Sequence, residues 1–239
     1  MHPQVDFDST YRPYITTILA MSADGKISDT HRTAARFPSP ADKCHLEQQL
    51  AKADATLFGA GTLRAYDTTA LVKDSQLLEK RCHNTQLPQP VHIVCSASGA
   101  MEPTAKFFSQ PVTRWLLTTA AGASRWQDTH HFERIWIAPT KPMASGFDWV
   151  QILRNFRDQG IKHLLVMGGG QLVANLVERD LVDELWLTVC PLIIGGKDAP
   201  TPCDGTGVCL ANAPRFTLVS NQAIGDEVFL NYKRQRGEF

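Results

Sequence analysis

The six cysteines, Cys44, Cys82, Cys95, Cys190, Cys203 and Cys209, form no C-x-x-C pair. This speaks against structural disulfides and against a zinc site. Several of them fall in apolar strand patterns, where buried, reduced thiols are expected. His130 and His131 have no spaced carboxylate or cysteine partner, so no metal is expected. Net charge is lacking as well: 24 basic side chains balance 24 acidic ones. The chain therefore carries no electrostatic footprint for nucleic acid or an anionic membrane. Apolar stretches such as Leu185–Val189 and Leu192–Ile194 are short, against the roughly 20 residues that a spanning helix needs. Residues 1–13 are polar and aromatic, unlike a leader peptide. These absences point to a small-molecule partner and a cytoplasmic location.

Two common nucleotide signatures are missing too. No Gly-Lys-Ser/Thr phosphate loop occurs, and Gly59-Ala-Gly-Thr-Leu-Arg lacks the third glycine of the dinucleotide fingerprint. An ordinary Rossmann domain or P-loop nucleotidase is thus disfavoured. Yet glycine is concentrated where strands end. Val166-Met-Gly-Gly-Gly-Gln-Leu-Val-Ala-Asn-Leu places Gly168, Gly169 and Gly170 between the apolar run His163 to Met167 and the helical spacing of Leu172, Leu176 and Arg179. Such a turn lets the backbone approach a ligand and aims a helix N-terminus at it, which suits a pyrophosphate; a tight turn alone has the same composition. Phe58-Gly-Ala-Gly-Thr-Leu-Arg is a second turn of this kind. Together they suggest one extended ligand.

The 43% apolar content over 239 residues is ample for one core. One domain over 1–239 is expected, with 1–11 a poorly ordered tail. Strands are predicted at Tyr14 to Ala20, Ala55 to Phe58, Val91 to Cys95, Thr113 to Thr118, Arg134 to Ala138 and His163 to Met167. Helices are predicted from Pro40 to about Ala53, with Ser39 as N-cap, near Asp74 to Arg81, from Asp148 to a stop at Gly160, and from Gln171 to Arg179. The alternation argues for an α/β fold with a mainly parallel sheet flanked by helices. Glu184 to Cys190, Arg215 to Ser220 and Glu227 to Lys233 follow without helices between them, which predicts an antiparallel C-terminal edge.

Four blocks in order, Ala20-Met-Ser-Ala-Asp-Gly-Lys-Ile, Gly59-Ala-Gly-Thr, Gly168-Gly-Gly, and Leu181-Val-Asp-Glu-Leu-Trp-Leu-Thr-Val-Cys-Pro-Leu-Ile-Ile-Gly-Gly-Lys-Asp-Ala-Pro-Thr, resemble the reductase domain of riboflavin biosynthesis. The likeness runs from about Arg12 to Arg234, and no deaminase domain precedes it, so the chain resembles the stand-alone reductases. The resemblance implies a dihydrofolate-reductase-like fold with a nine-stranded or similar mixed sheet, NADPH as cofactor, a homodimer, and reduction of a ribosylaminopyrimidine phosphate to its ribityl counterpart. Hydride would reach C1′ of the opened sugar, with a proton supplied to the neighbouring heteroatom.

By the same resemblance Gly59, Gly61, Thr62, Gly168, Gly169, Gly170, Gln171 and Leu172 hold the cofactor, and Ala20 and Met21 line the nicotinamide side. Met21, Ser22, Tyr66 and Met167 are expected against the substrate. Lys43, near the start of the first predicted helix, suits the substrate phosphate, although helix charges commonly face solvent. Asp24 and Asp67 are the candidate catalytic carboxylates; a turn explains the first equally well and a loop or helix cap the second. The chain departs from the family at two polar positions, which here are Ile18 and Met167. Two other readings therefore stay open: the same fold and cofactor with another carbonyl, imine or pterin-like substrate, or a catalytically silent nucleotide-binding homologue.

Overall fold

The computed structural model describes residues 11–138 and 146–236. The expected tail, Tyr11 apart, lies outside them. In chain order the elements are β1 (Tyr14–Ser22), α1 (Pro40–Lys52), β2 (Ala55–Gly59), α2 (Ala60–Tyr66), α3 (Ser75–His83), β3 (Val91–Cys95), β4 (Arg114–Thr118), α4 (Ala120–Ala123), β5 (Arg134–Ile137), α5 (Trp149–Asp158), β6 (His163–Val166), α6 (Gly170–Val177), β7 (Glu184–Cys190), β8 (Phe216–Ile224) and β9 (Glu227–Arg234). They build one nine-stranded sheet in the order β5-β4-β3-β2-β6-β1-β7-β9-β8. Every neighbouring pair from β5 to β7 is parallel; β9 runs antiparallel to both β7 and β8. The antiparallel edge is thus as expected, except that β8 continues past Ser220 to make a hairpin with β9.

Alternation along the strands divides two layers of core. Ile15 and Leu19 of β1, Leu57 of β2 and Leu164 and Val166 of β6 pack on α5 and α6, through Ile152, Phe156, Val173 and Leu176. On the other face Ile18 and Leu165 meet Leu50 of α1, while Phe58, Val94 and Leu116 meet Leu63, Phe107 and Trp126. The parallel strands are therefore covered on both sides, as parallel sheets require.

Helix α1 begins where predicted because the Ser39 hydroxyl accepts from the Ala41 and Asp42 amides, with Pro40 in the first helical position. Its other end depends on a distant side chain. Arg81 of α3, almost wholly buried, donates to the carbonyls of Leu50, Ala51 and Ala53 and, through Nε, to that of Leu87. Burial of thiols is narrower than the strand patterns suggest: Cys190 is buried and Cys95 half-buried, whereas Cys44, Cys82, Cys203 and Cys209 are exposed. Those four lie on helices or loops, where strand alternation has no bearing.

Candidate active site

β6 inserts between β2 and β1, so consecutive strands diverge at that point and leave a crevice at their carboxyl ends. Open parallel sheets bind ligands at such a switch point. A cleft of 740 Å³ lies there, lined by Ile18, Leu19 and Ala20 of β1, by Phe58 and Gly59 of β2, and by Met167 after β6.

The two glycine turns meet across the insertion, the Gly59 amide donating to the Gly168 carbonyl at 2.9 Å. Gly168 has φ +91 and is followed by a cis peptide to Gly169. That positive φ suits glycine alone among ordinary residues. Gly170 is glycine for a different reason: a Cβ there would lie 2.3 Å from the Thr201 carbonyl oxygen and 2.7 Å from Asp204 Oδ2. The third glycine thus makes room for the 200–204 loop. From these turns Gly59, Gly61, Thr62, Gly169, Gly170, Gln171 and Leu172 line the cleft. Gly168 itself stands behind it, holding the turns together through its carbonyl.

Ala20, Lys43, Tyr66 and Met167 also line the cleft; Met21, Ser22, Asp24 and Asp67 do not. Ser22 and Asp24 are occupied in the first loop. The Ser22 hydroxyl donates to Asp24 Oδ1 at 2.6 Å, and the Ile194 and Gly195 amides donate to the same carboxylate at 3.1 and 2.7 Å. These bonds, that from Ser22 foremost, hold the Asp24 carboxyl down at about 2. Asp67 closes α2 in the left-handed conformation and accepts from the Lys106 amide at 3.2 Å, fastening the helix end to the 106–109 turn. The Tyr66 hydroxyl donates to the Ala35 carbonyl at 3.1 Å, joining α2 to the 27–38 loop.

That loop carries what sequence reasoning overlooked. Arg32 and Arg36 line the cleft beside Ser28 and Thr33, on the same rim as Lys43. Arg32 has φ +57, and Asp29 holds the turn by accepting from the His31 and Thr33 amides at 3.0 Å each. No periodic pattern marks such a loop; the only available signal was the pair of arginines within five residues. Asp42, in the first turn of α1, also lines the cleft and is buried. Desolvation raises its carboxyl above the ordinary range.

The chain has an α/β fold of the dihydrofolate-reductase-like type; a dihydrofolate reductase from Enterococcus faecalis superposes with a TM-score of 0.51 at 11% identity over 95% of this chain and 99% of that one. Residues 13–230 match the RibD C-terminal domain, and the chain belongs to that family. It is 31% identical, over 81% of its own length and 87% of the relative's, to a 2,5-diamino-6-ribosylamino-4(3H)-pyrimidinone 5′-phosphate reductase from Archaeoglobus fulgidus. The riboflavin biosynthesis protein RibD of Escherichia coli is 27% identical over 92% of the chain, which spans only 59% of that longer protein. Among solved structures, a pyrimidine reductase-like protein from Corynebacterium diphtheriae superposes with a TM-score of 0.79 at 19% identity, covering 96% of this chain and 94% of that one. No helix among the described residues is long and apolar enough to cross a membrane.

Proposed function

We propose that the chain forms one reductase domain that uses NADPH to convert the ribosyl group of a ribosylaminopyrimidine 5′-phosphate to ribityl in riboflavin biosynthesis. The observation that carries this reading is a single cleft lined both by two glycine turns and by a rim of Arg32, Arg36 and Lys43. The turns fit a dinucleotide: no carboxylate from them enters the cleft, and at the start of α6 the Gly170 and Gln171 amides precede the first amide, that of Leu172, to bond back to the Gly169 carbonyl. Arg32, Arg36 and Lys43 fit the substrate's phosphate, the guanidinium groups by their two-pronged donor geometry. Bound there, NADPH supplies hydride to C1′ of the opened sugar. The chain's part is to hold both reactants at attack distance and to exclude water, which Ile18, Leu19, Phe58 and Met167 do with apolar side chains.

A homodimer belongs to the same reading. β7, β9 and β8 turn Leu187, Val228, Leu230 and Leu218 to the face opposite α1, where Val228 and Leu218 are 38% and 44% exposed. Such a face suits a second copy. A cytoplasmic location is consistent with the exposed free thiols Cys44, Cys82, Cys203 and Cys209, which a reducing compartment keeps intact.

The decisive experiment titrates the protein with NADPH and NADH, then mixes the complex separately with the 2,5-diamino ribosylaminopyrimidinone phosphate and with its deaminated uracil counterpart while cofactor absorbance is followed. Oxidation at enzymatic rates with either pyrimidine supports the reading, and the faster one gives the order of reduction and deamination. The apolar Ile18 and Met167 in the cleft favour a second reading, in which the fold reduces another carbonyl, imine or pterin-like compound. Oxidation with those compounds and with neither pyrimidine would select it; binding without any oxidation would leave a silent homologue.

A further inference from the structure

The proposed reduction consumes a proton as well as a hydride, and the cleft narrows its source. Among the described residues Asp42 is the only carboxylate in the lining, which contains no histidine, glutamate or cysteine from them. Tyr66 already donates its hydroxyl proton to the Ala35 carbonyl. Arg32, Arg36 and Lys43 are suited to binding anions, and serine and threonine hydroxyls do not release protons at neutral pH without a base.

Position favours Asp42 independently. Its helix covers the sheet face that carries Ile18, and the Thr188 hydroxyl lies near enough to its carboxyl to favour the charged form. Thr188 of β7 lies in register with Ala20 of β1, another lining residue, so the carboxyl stands at the β1 end of the cleft wall. Asp42 is 9% exposed. Behind it on β9 lies Glu227, 3% exposed, whose oxygens accept from the Ser39 amide at 2.7 Å, the Ser39 hydroxyl at 2.5 Å and the Cys190 thiol at 3.4 Å. Of the two buried carboxyls, Glu227 is supplied with donors and Asp42 opens to the cleft. Burial, the largest influence, and the charge of Glu227 favour the protonated form of Asp42; Thr188 and Lys43 oppose them.

We propose, on the basis of the reductase reading, that Asp42 is the catalytic acid that protonates the substrate as its sugar carbon is reduced. The Asp42 O–H bond breaks as an N–H bond forms on the open-chain imine. The C=N electron pair passes to that nitrogen, and hydride from the reduced nicotinamide closes the C1′–H bond. Oxidised nicotinamide and the Asp42 carboxylate remain, and water at the mouth of the cleft returns a proton to Asp42.

The test uses infrared difference spectroscopy of the full chain together with single-turnover kinetics. Wild type should show a carboxyl stretch that titrates above the ordinary carboxylate range and is absent from Asp42→Asn. That variant should bind NADPH normally yet lose about 100-fold or more in the hydride step, the lower bound for a positioned acid. The wild-type rate should fall as Asp42 ionises. This limb should vanish in Asp42→Asn and move to higher pH in Thr188→Val, which removes a hydroxyl favouring the charged form. A merely structural aspartate would not move it. Three results would overturn the assignment: an Asp42 band that titrates within or below the ordinary carboxylate range, full rate in Asp42→Asn, or loss of NADPH affinity along with rate. Should Asp42→Asn not fold, the infrared band of wild type and the shift in Thr188→Val still decide. If wild type oxidises NADPH with neither pyrimidine, the proposed reaction fails separately, while the carboxyl band still supports or overturns Asp42 as an acid.

Discussion

Gly170 and Gly61 both line the cleft, but they are glycine under different constraints. A methyl at Gly170 collides with the Thr201 carbonyl, whereas one at Gly61 meets only the Arg64 guanidinium at 3.8 Å. Gly170→Ala should therefore lower Tm by displacing the 200–204 loop, at about 1–3 kcal/mol, as overpacking costs. Gly61→Ala should keep Tm and weaken binding of the proposed NADPH, because the methyl would take up space at a residue that lines the cleft. Thermal melts with and without NADPH distinguish the two. His92 carries another residue-scale expectation. It is fully buried, takes part in hydrogen bonds with the Thr56 and Thr69 hydroxyls, and burial pushes its pKa down to about 3. The unfolded chain binds a proton below about 6.5 while the folded chain does not until about 3, so stability should fall with decreasing pH across that window. The slope attributable to one such group approaches about 1.4 kcal/mol per pH unit. His92→Gln should flatten it in urea titrations. The candidate carboxylates show what sequence leaves unresolved at this scale: Asp24-Gly25 and Asp67 read equally as turn, cap or acid, and only the amides of Gly195 and Lys106, far away in the chain, show where their oxygens go.

Elements were legible where their signals are local. Ser39-Pro40 marks the start of α1, Asp148 caps α5 on the Gln151 amide, and β3 and β7 have the bounds that their apolar runs predict. The end of α1 was legible only as a boundary, because Arg81 reaches it from α3 across 28 residues or more of chain. Arg81→Met should cost about 2 kcal/mol or more: the Ala51 and Ala53 carbonyls lose their donor while that of Leu50 keeps the Ala53 amide, each buried unsatisfied group costing about 1–3 kcal/mol, with part of that recovered by not burying a cation. Chemical denaturation measures it, and an unchanged midpoint would mean that water replaces the guanidinium. The 27–38 loop stayed unread for a related reason. Its arginines follow no period, and their place on the cleft rim comes from the Asp29 turn and the Tyr66 tether.

At the scale of the molecule, the alternation of elements predicted a mainly parallel sheet but not its strand order. Nothing local in His163 to Val166 says that this strand separates the first two. The hairpin of β8 and β9 carries the remaining expectation. Val228→Lys combined with Leu218→Lys should convert a dimer to monomer in light scattering on a sizing column, leaving the glycine turns untouched; a wild-type monomer would remove the second copy from the reading. The placement of β6 also bears on how the enzyme comes into being. β1 pairs with β6 and β7, and β2 with β3 and β6, so the first two strands never touch each other directly. A growing chain that has made both still has no cleft, since their common neighbour begins at His163. Long-range pairing of this kind slows folding. Capture of the proposed cofactor therefore waits until the chain has been made past His163, and the moment at which NADPH would first bind during refolding would mark the threading of the central strand.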